Sequence, residues 1–115
     1  MRHPCFDDRW HHIVVGDDRR PVTATAWRAL GLLRQRFRRF VPPGFLAQHS
    51  ARNPADGGSV ATLKVEIIQL RAKLAGTPFT IATQYGFGYG LFPTDEATIR
   101  IDVNGRRHVR ASERD

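Results

Sequence analysis

Four side chains near the N-terminus are of types that bind transition metals, and they are the first candidates for chemistry in this sequence. They are His3, Cys5, His11 and His12. A structural zinc site needs about four ligands at spacings that bring them together, whereas adjacent histidines in a strand point to opposite faces. The aspartate pairs at 7–8 and 17–18 are typical of turns. Since no pairing of a nucleophile with a base and no pair of carboxylates suggests catalysis, we predict a protein that is not an enzyme and needs no metal or cofactor.

The second kind of chemistry is charge. The 115-residue chain carries 18 lysine and arginine residues against 11 acidic ones, which gives a net charge of +7. A basic excess of this size favours polyanionic partners such as DNA or RNA, although it also occurs on proteins whose charge serves only solubility. One cysteine allows no internal disulfide, and the sequence has no apolar span or signal segment. These features predict a cytoplasmic protein without membrane contact.

Two helices are predicted in the first half of the chain, after a short strand over residues 10–15 and a second extended piece. Thr23 or Thr25 can cap the first helix, since a threonine hydroxyl accepts from free amides of the first turn. Its apolar stripe consists of Ala26, Trp27, Leu30, Leu33 and Phe37. The far side and the end of this helix are predicted to carry Arg28, Arg34, Arg36, Arg38 and Arg39. Pro43 can open a short second helix with Phe45 and Leu46 facing inward.

A third helix is predicted over residues 59–75. Ser59 is a good N-cap, and Gly76 suits the position that follows the last turn. Its buried seam consists of Leu63, Ile67, Leu70 and Leu74, which recur at helical spacing. The opposite, solvent-facing side is predicted to carry Thr62, Val65, Glu66, Gln69 and Lys73.

Two β-hairpins are predicted after the third helix. Residues 79–92 alternate apolar and polar side chains around a turn at Tyr85-Gly86. Farther along, residues 96–111 alternate again, and Asn104-Gly105 is a strong two-residue turn. The basic residues after that turn are Arg106, Arg107 and Arg110. We expect the second hairpin to dock beside the short N-terminal sheet.

Three motifs occur in these elements, in a fixed order. The first consists of Val22, Thr23, Thr25, Trp27, Arg28 and Leu30. The second consists of Thr62, Leu63, Val65, Ile67, Leu70, Arg71, Lys73 and Leu74. The third consists of Ile81, Thr83, Tyr85, Gly86, Gly88, Tyr89 and Leu91. Over residues 10–92 the chain thereby resembles the DNA-binding domain of OmpR/PhoB-type response regulators, without a receiver domain. Residues 93–115 are expected to add a hairpin and a tail, so that residues 1–115 form a single domain.

The resemblance implies an α+β winged helix-turn-helix with three helices, a short N-terminal β-sheet, a hairpin wing and the extra C-terminal hairpin. It also implies a transcriptional regulator whose helix 59–75 enters the major groove of double-stranded DNA, while the wing, residues 79–92, lies at the adjacent backbone or minor groove. The residues expected to contact DNA are Thr62, Lys64, Val65, Gln69, Arg71, Lys73, Thr83 and Tyr85. Gln69 suits bidentate pairing with adenine, and Val65 suits a thymine methyl group. Pairing of two protomers on DNA is a further expectation.

Other functions stay open at this point. The paired basic residues that the family has before its Leu-Arg pair are Ile68 and Gln69 here, its wing arginine is Tyr85, and Glu66 adds an acid. These differences favour an adaptor that binds RNA polymerase or another regulator, with weak or no DNA binding. Exposed Tyr85 and Phe87 would suit stacking on RNA bases. For Arg71, internal pairing is the alternative to phosphate contact.

Overall fold

The computed structural model describes residues 2–51, 59–101 and 107–111, with residues 98–101 and 107–111 described through their backbone alone. In chain order the elements are β1 (Phe6–Asp7), β2 (His12–Val15), β3 (Asp18–Pro21), α1 (Ala24–Gln35), α2 (Pro43–Ser50), α3 (Val60–Leu74), β4 (Phe79–Gln84), β5 (Gly88–Pro93), β6 (Ala97–Ile101) and β7 (Arg107–Ala111). A short 3₁₀ turn, Thr94–Glu96, precedes β6. The predicted α+β class is confirmed, with three helices and small antiparallel sheets in the described residues.

Side chains at the helix ends fix where the helices begin and stop. The Thr23 hydroxyl accepts from a first-turn amide at 3.3 Å, so Thr23 rather than Thr25 caps α1. Ser59 caps α3 in the same way, also at 3.3 Å. Pro43 occupies the first position of α2, where its missing amide hydrogen removes no helical bond. Gly76 has a φ of 86°, a left-handed conformation that turns the chain away from α3.

The helices and the β4–β5 hairpin surround one hydrophobic core. The predicted seam of α3 is confirmed, because Leu63, Ile67, Leu70 and Leu74 are all buried. The stripe of α1 is buried too, except that Phe37 lies beyond the helix end and is half-buried. Burying a leucine-sized side chain contributes about 1.5–3 kcal/mol. The seam therefore determines which side of α3 faces solvent.

The N-terminal sheet differs from the prediction at its start. Its strand order is β1-β2-β3, and both pairs are antiparallel. Trp10, predicted to begin a strand, lies in the turn before β2 and is 61% exposed. β1 has only two residues, which is too short for an alternating pattern to reveal it.

Two predicted orientations in α1 and α2 are wrong. Arg34 is buried rather than solvent-facing, and its guanidinium donates to the Asp8 carboxylate at 2.6 and 3.1 Å. The same guanidinium lies over the Phe6 ring at 4.5 Å, a stacking contact that a planar cation makes well. Phe45 is 47% exposed, because α2 buries Leu46 and Ala47 instead.

The β4–β5 hairpin is attached to the connection between α1 and α2. Its register pairs Phe79 with Pro93 and Gln84 with Gly88. The Val41 amide donates to the Tyr89 carbonyl at 2.7 Å, and the Tyr89 amide donates to the Val41 carbonyl at 3.0 Å. Tyr89 is buried. The hairpin is therefore held by the helical core and not only by its own strands.

The second hairpin, β6–β7, forms with Ala97 paired to Ala111 and Ile101 paired to Arg107. Its predicted turn at Asn104-Gly105 lies outside the described residues. β7 packs against β4. The expectation that this hairpin docks beside the N-terminal sheet is therefore corrected, since its main contact is with the first hairpin. No helix in the described residues is long and apolar enough to cross a membrane.

Candidate nucleic-acid interface

The side of α3 opposite the buried seam is open to solvent, and we call it the outward face. At its centre, Val65 and Ile68 are 54% and 65% exposed. Lys64 and Arg71 are seven residues apart, which places them on one edge of the helix. Since Arg71 bonds to β4, that edge is the one that faces the hairpin. Lys64 itself is exposed.

The other edge of the outward face carries Thr62, Gln69 and Lys73. Thr62 and Gln69 are exposed, and Lys73 is half-buried. Gln69 and Lys73 border a shallow groove between α3, the end of β3 and the start of α1. Its other lining residues are Pro21, Val22, Thr23, Ala26 and Leu70. The helix thus offers polar side chains on both edges and an apolar strip between them.

The prediction that Glu66 faces solvent is wrong. Glu66 is 8% exposed and lies on the seam side of α3. Burial raises the pKa of its carboxyl above the ordinary value, although the nearby charge of Arg28 acts in the opposite direction. Arg28 also donates to the Ser50 carbonyl at 3.0 Å and to the Thr25 hydroxyl at 3.3 Å. Because Glu66 is the one acidic residue of α3, the outward face carries no carboxylate.

Replacing Glu66 with glutamine should raise the melting temperature at neutral pH by a few degrees. A carboxyl whose pKa is raised by folding opposes folding while it is ionised, and this cost disappears as pH falls through the raised pKa towards the ordinary value of about 4.3. Melting curves of both proteins between neutral and mildly acidic pH should therefore converge. Glu96→Gln serves as the control, because it removes only a surface ion pair with Arg38 and should not stabilise the protein. A Glu66→Gln protein that melts earlier than wild type at every pH contradicts this interpretation.

Arg71 and Thr83 contact each other between α3 and β4. Arg71 Nε donates to the Ile81 carbonyl at 2.9 Å, and a terminal nitrogen of the same guanidinium donates to Thr83 Oγ1. Burial lowers the pKa of Arg71, with Tyr89 acting against that change, but a guanidinium stays charged at neutral pH. Of the two interpretations of Arg71, the geometry favours internal pairing. Arg71 connects α3 to strand β4.

The tip of the β4–β5 hairpin is aromatic. Tyr85 and Phe87 are 59% and 52% exposed, on either side of Gly86. The Phe87 ring meets the edge of Phe40 with centroids 6.4 Å apart, and Phe40 lies against Phe92 at 5.0 Å. The tip is therefore supported from the α1–α2 connection by a row of rings.

Arg20 is a residue of this region that sequence reasoning missed. Its guanidinium donates to the carbonyls of Lys73 at 2.8 Å and Ala75 at 2.6 Å, at the C-terminal end of α3. Cations favour this end of a helix, where carbonyl groups lack partners. An arginine is only a weak sequence signal for a helix-capping contact. The sequence does not show that this arginine, in a strand, reaches the end of a helix more than 50 residues farther along the chain. The contact ties the N-terminal sheet to the C-terminal end of α3.

The metal-binding residue types of the N-terminus have other contacts. His3 accepts a hydrogen bond from the Cys5 amide at 3.1 Å, and His11 stacks on Trp27 at 5.3 Å. Burial raises the pKa of the Cys5 thiol to about 11, which leaves it protonated and unreactive at neutral pH. Within the part of the chain that the structure describes, no cluster of three or more His, Cys, Asp or Glu residues could hold a metal ion.

Of the eight side chains expected to contact DNA, six border the outward face of α3 or the hairpin tip. They are Thr62, Lys64, Val65, Gln69, Lys73 and Tyr85. Arg71 and Thr83 lie between α3 and β4 instead. The sequence matches none of the protein-family models with which it was compared, and no curated protein matches it. The resemblance to OmpR/PhoB-type domains thus depends on the three motifs.

Proposed function

We propose that the protein is a winged helix-turn-helix regulator of the OmpR/PhoB type, which acts in the cytoplasm on double-stranded DNA. In this proposal α3 enters the major groove and the β4–β5 hairpin, the wing, lies against the adjacent backbone or minor groove. The observation that carries it is the outward face of α3, which has Lys64 and Lys73 at its edges and no carboxylate. A face of this charge does not repel phosphates, and a net charge of +7 attracts the duplex from a distance.

Each exposed side chain of the outward face has a role in this proposal. Lys64 and Lys73 contact phosphates on the two sides of the groove, and Thr62 donates to a third. Gln69 reads adenine and Val65 packs on a thymine methyl group. Arg71 and Thr83 hold the wing at a fixed position beside the helix, so that Tyr85 reaches sugar or phosphate. Two protomers bound to adjacent half-sites would extend the contact.

Binding to random-sequence duplex DNA at several salt concentrations tests the proposal. The logarithm of the affinity should fall linearly with the logarithm of the salt concentration, because bound phosphates release counterions. Lys64→Gln should reduce the slope by about one. Arg9→Gln is the matched control, since it removes the same charge from the exposed turn before β2. It should leave the slope nearly unchanged.

A second candidate function is favoured by the exposed strip of Val65 and Ile68, which is apolar where many DNA-reading helices are polar. A strip of this kind suits a protein partner such as RNA polymerase or another regulator. The same titration separates the two functions. Affinity for duplex DNA that is absent at low salt, or that does not respond to salt, contradicts the regulator and supports the adaptor.

Replacing Gln69 with alanine should relax the sequence preference at one position of the DNA site. A bidentate side chain contributes about 1–3 kcal/mol of discrimination between bases. Selection from a random duplex library should enrich adenine at that position for the wild type and not for Gln69→Ala. Gln35→Ala, at the exposed end of α1, is the control and should select the wild-type site. Identical selected sites for Gln69→Ala and wild type would contradict the adenine contact.

A further inference from the structure

We infer that Tyr85 and Phe87 form an aromatic wedge at the wing tip that enters the minor groove, stacks on the bases of one duplex step and opens that step. The inference rests on the proposed function and adds how the wing engages DNA. The wing has no cation to insert into the groove, since residues 79–92 contain no charged side chain. Its tip would therefore engage the bases by stacking.

The shape of the tip fits a narrow groove. The last paired residues of the hairpin are Gln84 and Gly88, so only three residues form the tip between them. Gly86 has a φ of 75°, a conformation that glycine adopts without strain, and it keeps the turn tight. The minor groove of B-form DNA is about 6 Å wide and admits such a tip but no helix. Tyr85 and Phe87 lie in this tip on either side of Gly86, and both side chains are more than half exposed.

One ring of the wedge, that of Phe87, is held in place before any DNA arrives. Phe87 rests on Phe40, which in turn rests on Phe92. The Val41–Tyr89 hydrogen bonds fix the strand that follows the tip. A ring that is already positioned loses little conformational freedom on binding, which lowers the free-energy cost of inserting it between base pairs.

The observations favour duplex DNA over other occupants of this tip. Proteins that open base steps from the minor groove insert apolar side chains, phenylalanine among them. Lys64 lies on the edge of α3 that faces β4, where it can meet a phosphate of the same duplex.

The test uses the full chain and a duplex selected by it from a random library, with 2-aminopurine placed in turn at each position. Stacking between neighbouring bases quenches the fluorescence of 2-aminopurine, and separating the bases relieves the quenching. Binding of the wild type should therefore raise the fluorescence at one base step, or at two adjacent steps, beside the α3 site. Phe87→Ala should abolish that rise and weaken affinity about tenfold. Tyr85→Ala, as a second variant, should do the same. Trp10→Ala removes an equally exposed ring outside the wing and should behave as wild type.

The other outcomes overturn the inference in distinguishable ways. Tight duplex binding without any fluorescence change, or with unchanged affinity in both wing variants, excludes the wedge and leaves the regulator function intact. Failure to select or bind any duplex excludes both. Tighter binding to single-stranded DNA or RNA, lost in Phe87→Ala, assigns the rings to single strands and also excludes a duplex wedge. Melting curves recorded for each variant verify that the proteins compared are folded.

Discussion

Replacing Gly88 with alanine should lower the free energy of unfolding by about 3 kcal/mol and displace the wing. A β-carbon at Gly88 would lie 2.6 Å from the carbonyl carbon of Val41 and closer still to its oxygen. Both are backbone atoms, so no side-chain rotation relieves the clash. The connection between α1 and α2 would have to move away from β5, and the two hydrogen bonds between Val41 and Tyr89 would break.

Chemical denaturation of Gly88→Ala beside Gly31→Ala provides the measurement. Gly31 lies in α1 with no atom within 4 Å of the position that a β-carbon would take. The same substitution should therefore stabilise the protein there by about 0.5–1 kcal/mol, because alanine favours the helix interior. Duplex affinity should also fall in Gly88→Ala and stay constant in Gly31→Ala. Equal stabilities of Gly88→Ala and wild type would show that the hairpin is not held by this contact.

Replacing Arg71 with methionine should lower the free energy of unfolding by about 2–3 kcal/mol. The substitution keeps most of the side-chain volume but removes the donors to the Ile81 carbonyl and to Thr83. Hydrogen bonds from a charged donor contribute about 1.5–3 kcal/mol, and the carbonyl is left without its partner in a half-buried site. Duplex affinity should decrease as well, because the wing loses its connection to α3.

The salt dependence separates this positioning role from a phosphate contact. If Arg71 only holds the wing, Arg71→Met should bind more weakly at every salt concentration with the slope unchanged. If Arg71 contacts a phosphate, the slope should drop by about one while the melting temperature remains that of the wild type. Thr83→Val is the companion variant, since it removes the acceptor and leaves the guanidinium. It should destabilise the protein less than Arg71→Met does.

Local patterns predicted the elements well. The seam of α3, its cap at Ser59 and its stop at Gly76 follow from helical spacing and from the chemistry of helix ends, which act over a few residues. The two hairpins follow from alternation and turn residues in the same way. These elements supply the outward face of α3, and the DNA contacts proposed for it stay predictions.

The burial of Glu66 could have been predicted from a local pattern. Glu66 lies three residues after Leu63 and four before Leu70, which is the spacing of a buried position. Its charge, rather than its place on the helix, led to the solvent-facing prediction. Arg34 is the opposite case, because the burial of its guanidinium depends on Asp8 and Phe6, both distant in sequence.

By itself, the sequence determined the three helices and the two C-terminal hairpins, where α3 begins and ends, and that a basic chain carries an aromatic hairpin with a glycine at its turn. Those properties depend on neighbours within a few positions and on total charge. Only the tertiary structure decided that Arg71 joins α3 to β4, that Arg34 is buried against Asp8 and Phe6, and that Phe40 supports Phe87. Each of these depends on which distant side chain or carbonyl happens to lie within about 3–6 Å, a condition that spacing along one chain does not encode.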